Sequence, residues 1–157
     1  MNKKTKLYID TSVWNFALEA ERRDYFLTNS FFNYCAKSKD LSVYISDLVA
    51  TEIDRASSEK REKLLNLIDK FKPELFYSSN EAFELANIYV DEGLIPQKAR
   101  DDAVHIAIAS VNRCDFIVSW NFKHIVRAKT IKGVHLINLR ESYGLIEITS
   151  PREFLEV

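Results

Sequence analysis

Three short runs, Leu7-Tyr8-Ile9, Val43-Tyr44-Ile45 and Phe116-Ile117-Val118, are apolar throughout, with no polar residue at alternate positions. A strand with one wet face alternates; a strand covered on both faces does not. Between these runs the sequence turns helical. Strands separated by helices build right-handed crossovers, so the expected fold class is α/β, a three-layer α/β/α sandwich with a mostly parallel central sheet. Leu75-Phe76-Tyr77 is a weaker strand candidate, and Val134 to Ile137 reads as an added edge strand.

Ser46 is placed to cap a helix from Asp47 to Ala56, and Asn80 one from Glu81 to Glu92 that stops at Gly93. Residues 22–37 and 59–70 read as helices, the first rich in aromatic residues. Past Pro96, a helix over about 98–112 contains Ala103-Val104-His105-Ile106-Ala107-Ile108-Ala109, apolar on nearly every side and therefore central and buried. Ser150-Pro151 sets a cap and a first-turn proline before Arg152 to Leu155. With no repeat, low-complexity tract or Pro/Ser-rich linker, residues 1–157 are expected to form one domain.

At 46% hydrophobic and 29% charged residues, the chain can bury a core and is not disordered. The absence of a long apolar run or a signal-peptide core argues for a cytoplasmic protein. Cys35 and Cys114, far apart, fit no disulfide framework or zinc spacing and read as small buried hydrophobes. Net charge is −1, which argues against a passive nucleic-acid coat but leaves room for an acidic site that meets phosphate through metal ions. Neither GxGxxG nor GxxxxGK[ST] occurs, so nucleotide-loop binding has no support.

In open parallel sheets, ligand sites gather beyond the carboxyl ends of the strands. Asp10 follows the first strand directly and Asn121 follows Ile117-Val118-Ser119-Trp120, so both belong at that edge. Glu52 and Asp102 sit on the two helices best placed to bring carboxylates beside them. Clustered acids without a basic partner repel, and a hard divalent cation is the usual compensation. Each residue also has a purely structural reading. Asp10 would cap a helix starting at Thr11, Asp101 and Asp102 would favour a helix dipole, and Asn121 would be an N-cap. His105 reads as a packed, hydrogen-bonded core residue, while His124 with Lys123 is a candidate phosphate contact.

Taken in order, these pieces resemble the PIN domain, the metal-dependent ribonuclease fold known from VapC-type toxins. The resemblance rests on Tyr8-Ile9-Asp10-Thr11-Ser12, on Ile45-Ser46-Asp47-Leu48-Val49-Ala50-Thr51-Glu52-Ile53, on Asp102-Ala103-Val104-His105-Ile106-Ala107, and on Ser119-Trp120-Asn121-Phe122-Lys123-His124-Ile125. It implies that Asp10, Glu52 and Asp102 are acidic metal-site residues. Asn121 stands where the family commonly has an aspartate and would be a fourth metal-site residue, bringing an oxygen but no charge, with the ion held by Asp10, Asp102 and Asn121 and assisted by Glu52. Thr11 and Ser119 resemble hydroxyl residues that orient a carboxylate or a water.

The resemblance further implies a Mg²⁺- or Mn²⁺-dependent endoribonuclease, an RNA substrate, an antitoxin partner and a homodimer. The aromatic helix near residues 25–34 is the apolar area available for pairing. Two readings from other classes stand beside this one. One is a non-catalytic PIN-fold module that binds RNA or protein, kept open by Asn121. The other is an acidic-site metal phosphatase on a similar sheet.

Overall fold

The computed structural model describes residues 3–156. Strand β1 (Thr5–Ile9) lies at the centre of a five-stranded sheet, next to β2 (Leu41–Ser46) on one side and β4 (Phe116–Val118) on the other. β3 (Glu74–Phe76) extends the sheet beyond β2 and β5 (Glu147–Thr149) beyond β4. All four pairings are parallel. Successive side chains along a strand leave opposite faces, so each strand feeds two cores. Leu7, Ile9, Val43, Ile45 and Val118 pack on one face, Tyr8, Ile117 and Ile148 on the other. That double coverage is why the strands read as unbroken apolar runs.

On the first face lie α1 (Thr11–Phe16), α2 (Tyr25–Lys37), α3 (Asp47–Asp54), α4 (Ser58–Phe71) and α8 (Pro151–Glu156). The opposite face is covered by α5 (Asn80–Asp91), α6 (Arg100–Val111) and α7 (Ala128–Arg140). The sandwich is therefore three layers deep. Helix α6 is buried at every position from Ala103 to Ser110, as its lack of a polar stripe requires.

Two local expectations are corrected. Residues 134–137 are no edge strand; they lie inside α7, with Val134 and Ile137 buried three positions apart and Leu136 turned outward. Four apolar residues in a row fit a helix turn as well as a strand. The second edge strand is instead β5, whose Ile148 and Thr149 are buried. The cap of α5 is Ser79, accepting from the Ala82 amide at 3.1 Å, so Asn80 is the first helical residue. Ser46 does cap α3, accepting from the Leu48 amide at 3.2 Å, and Ser150 accepts from the Glu153 amide at 3.2 Å.

Candidate functional site

Because Ile9 pairs with Val118, the chain leaves β1 and β4 side by side, and Asp10 and Ser119 come together at the carboxyl edge. The Asp10 backbone amide donates to Val118 O at 3.2 Å, extending the ladder by one rung. Its side chain caps α1: Oδ1 accepts from the Ser12 amide at 3.1 Å and from Ser12 Oγ at 2.5 Å. Oδ2 accepts from Ser119 Oγ at 2.5 Å. Ser12 Oγ in turn accepts from the Trp120 amide at 3.0 Å, and Ser119 Oγ from the Asn121 amide at 2.9 Å. The two strand ends are thus laced through one carboxylate. Burial pushes that carboxyl above the usual range, against the opposing pull of His105 and the two serines.

Glu52 arrives on α3 from the second strand's crossover. Its Oε1 accepts from Thr11 Oγ1 at 2.7 Å and lies 2.5 Å from His105 Nε2, while Oε2 has no protein donor among the described residues. An ionised carboxylate only accepts, so the ring proton sits on Nε2. His105 Nδ1 then lies 2.7 Å from the Tyr8 hydroxyl, itself 2.7 Å from Ser46 Oγ. Ser46, Tyr8, His105 and Glu52 form a continuous chain from the end of β2 to the site. Burial alone would raise the Glu52 carboxyl and lower the His105 ring. Contact between them reverses both, holding Glu52 down and His105 up.

Asp102, in the first turn of α6, is pushed up by burial, opposed by His105 and by the Asn121 amide. Asn121 Oδ1 accepts from the His124 amide at 2.9 Å, closing the loop after β4. Its oxygen therefore serves the loop, and its side chain lines the same cleft as Asp102. Asp101, one position earlier, turns away and pairs with Arg55 at 3.2 Å.

Asp10, Glu52, Asp102 and Asn121, together with Thr11 and His105, line one cleft of about 330 Å³. Neither Asp10 nor Asp102 forms an ion pair with Lys or Arg among the described residues. Two desolvated carboxyls without a cation are a donor set for a hard ion. No three His, Cys, Asp or Glu groups among the described residues converge into a ready cage. The arrangement fits the Mg²⁺ pattern, in which one or two carboxylates share the ion with waters and a substrate phosphate.

The same backbone path recurs in the crystal structure of Mycobacterium tuberculosis VapC20, a sarcin-ricin loop cleaving toxin, with a TM-score of 0.60 over 75% of this chain and 92% of that one. The chain has the VapC fold. VapC20 is 12% identical in sequence. VapBC2 from Rickettsia felis, bound to a promoter DNA fragment, matches at TM-score 0.57 and 16% identity, covering 92% of this chain and 98% of that one. DNA-bound VapBC from Salmonella typhimurium matches at 0.56 and 15%, covering 94% and 98%. No protein-family model and no curated protein sequence matches the chain.

On this fold the carboxylates named from sequence, Asp10, Glu52 and Asp102, line the same cleft. Thr11 and Ser119 orient Glu52 and Asp10 respectively. His105 is a buried core histidine and, at the same time, the partner of Glu52. His124 is not among the cleft residues, and burial holds its ring below the ordinary histidine range. Three cleft residues went unforeseen, Ser12, Asn15 and Arg55. For Asn15 and Arg55 the signal was helical spacing, four positions from Thr11 and three from Glu52, one turn along the same face; Ser12 enters through its hydrogen bond to Asp10. Cys35 and Cys114 are buried, and burial pushes both thiols up to about 12.

Proposed function

We propose that this protein is a Mg²⁺- or Mn²⁺-dependent endoribonuclease and the toxin of a toxin–antitoxin pair. The observation that carries the reading is the delivery of Asp10, Glu52 and Asp102, from β1, α3 and α6, into one cleft of a VapC fold. Asp10 and Asp102 would hold the ion, with Glu52 joining through its unpartnered Oε2, directly or through a water. Once bound, the ion would acidify a water and stabilise charge on the phosphodiester in an in-line displacement. The residues of the chain set the stage for that step. Ser12 and Ser119 fix Asp10, and Thr11 and His105 fix Glu52 in its ionised form.

The antitoxin is proposed because the Rickettsia and Salmonella neighbours are VapBC assemblies. RNA is proposed because the Mycobacterium neighbour cleaves the sarcin-ricin loop. Incubating the protein with mixed-sequence RNA and with a sarcin-ricin hairpin, in Mg²⁺, in Mn²⁺ and in EDTA, tests the reading. Cleavage is expected with either metal and not with EDTA. Asp10→Asn should slow it by more than about 100-fold, beyond the loss typical of an outer-shell partner. Intact RNA in every condition, or an Asp10→Asn variant as fast as wild type, would overturn it. No helix among the described residues is long and apolar enough to cross a membrane.

A further inference from the structure

Among the residues lining the acidic cleft, Arg55 is the one Lys or Arg. It stands at the C-cap of α3, one helical turn beyond Glu52, and is 63% exposed. One nitrogen, Nη1, donates to Asp101 Oδ2 at 3.2 Å. Nε and Nη2 have no protein acceptor among the described residues. Asp101 is itself 44% exposed and does not line the cleft. An ion pair this open to water contributes little to folding and is easily traded for a better anion. A phosphodiester is such an anion, since a guanidinium grips two of its oxygens at once.

We infer that Arg55 is the phosphate subsite of the cleft and that Asp101 is its latch, occupying the guanidinium until an RNA backbone replaces it. The inference rests on the ribonuclease reading and deepens it by naming how the strand is held. In a cleft lined by Asp10, Glu52 and Asp102, phosphate meets carboxylate repulsion, and Arg55 is the Lys or Arg side chain there that opposes it. It binds substrate and leaves the ion to the carboxylates. Asp101 competes with substrate for the same donors.

A merely structural Arg55, present to soften acid repulsion, makes different predictions. Binding of a short fluorescein-labelled single-stranded RNA is measured by anisotropy in an Asp10→Asn background, so that the strand is not cut. Arg55→Gln should weaken binding about ten-fold and reduce the salt slope by about 0.7, the value for one phosphate contact on a single strand. Asp101→Asn should tighten binding about two- to five-fold, the equilibrium equivalent of an exposed ion pair. That gain should vanish when Arg55→Gln is already present, because a latch without its bolt holds nothing.

Equal affinity and equal salt slope for Arg55→Gln and its parent would overturn the subsite. A gain from Asp101→Asn of the same size in both backgrounds would overturn the latch, reducing Asp101 to a general negative charge. Failure of the underlying reading looks different: the wild-type protein then cuts no RNA in Mg²⁺ or Mn²⁺, and the subsite falls with it. Both side chains are exposed, so circular dichroism of each variant should match the parent.

Discussion

Asp10 and Glu52 share a cleft and a charge, yet their environments pull their carboxyls in opposite directions. The folded-state value of Asp10 is raised, so ionised Asp10 costs stability at neutral pH, and the cost fades as pH falls through the raised value. Asn at position 10 keeps an acceptor for Ser12 and remains a good cap. Without metal, Asp10→Asn should therefore be more stable than wild type at neutral pH, on the order of 1 kcal/mol or a few degrees in Tm. Glu52 is lowered, so its contribution is present above the unfolded carboxylate range and is lost as pH falls through the lowered value. His105 is raised, and its contribution is lost as pH rises through its own raised value. The pair stabilises between those limits. Glu52→Gln should cost about 1 kcal/mol there, the difference between a charge-assisted and a neutral hydrogen bond. Chemical denaturation at neutral pH should show the two variants shifted to opposite sides of wild type. In acid below the carboxylate range both differences should disappear. Asp10 and Asp102 were legible because one follows a strand and the other opens a helix, while Glu52, inside α3, was singled out by the resemblance of its motif; the Tyr8–His105 link was not legible. Tyr8 and His105 are 97 residues apart, and only the stacking of α6 on the sheet brings them within 2.7 Å.

At the scale of elements, glycine inside α7 decides how closely that helix approaches its neighbour. A Cβ built on Gly133 would sit 2.2 Å, 2.6 Å and 2.9 Å from three side-chain carbons of Leu94. Leu94 is itself buried in the core of that face, so it can yield only by displacing its surroundings. Overpacking of this kind costs about 1–3 kcal/mol, against a gain of nearly 1 kcal/mol from replacing glycine in a helix. Gly133→Ala is expected to lose about 1 kcal/mol net. A urea midpoint equal to or above that of wild type would contradict the packing. Strands β1, β2 and β4 were readable because two covered faces leave an apolar run. β5 was not, since only three residues pair and Glu147 is exposed. Helix α7 was mistaken in part for a strand because its central residues, read four at a time, lack a period.

For the whole molecule, the aromatic helix expected to mediate pairing turns mostly inward. Phe31 and Phe32 pack on each other, Phe32 also on Trp14 and Phe71, while Phe26 and Tyr34 stay exposed. The larger aliphatic surface is elsewhere: Leu136 and Leu139 on one face of α7 are 61% and 72% exposed, and Leu145 is 77% exposed. Leucines so placed suit contact with a second copy. Light scattering is expected to give twice the 18.3 kDa chain mass, and Leu139→Glu to return it to one. A monomer for wild type at high micromolar concentration would count against dimerisation.

The burial of α6 from Ala103 to Ser110 has a consequence for how such a molecule can diversify. A helix without a free face can neither rotate nor accept larger side chains, so Asp102 and His105 are locked to the scaffold that carries them. Arg55, Asn15 and Phe122 sit on exposed or half-exposed ground, where substitution leaves the core alone. Retargeting this protein by mutation would thus proceed along the outer ends of α1 and α3 and the loop after β4. The cleft and its carboxylates would stay constant while the surface around them drifted.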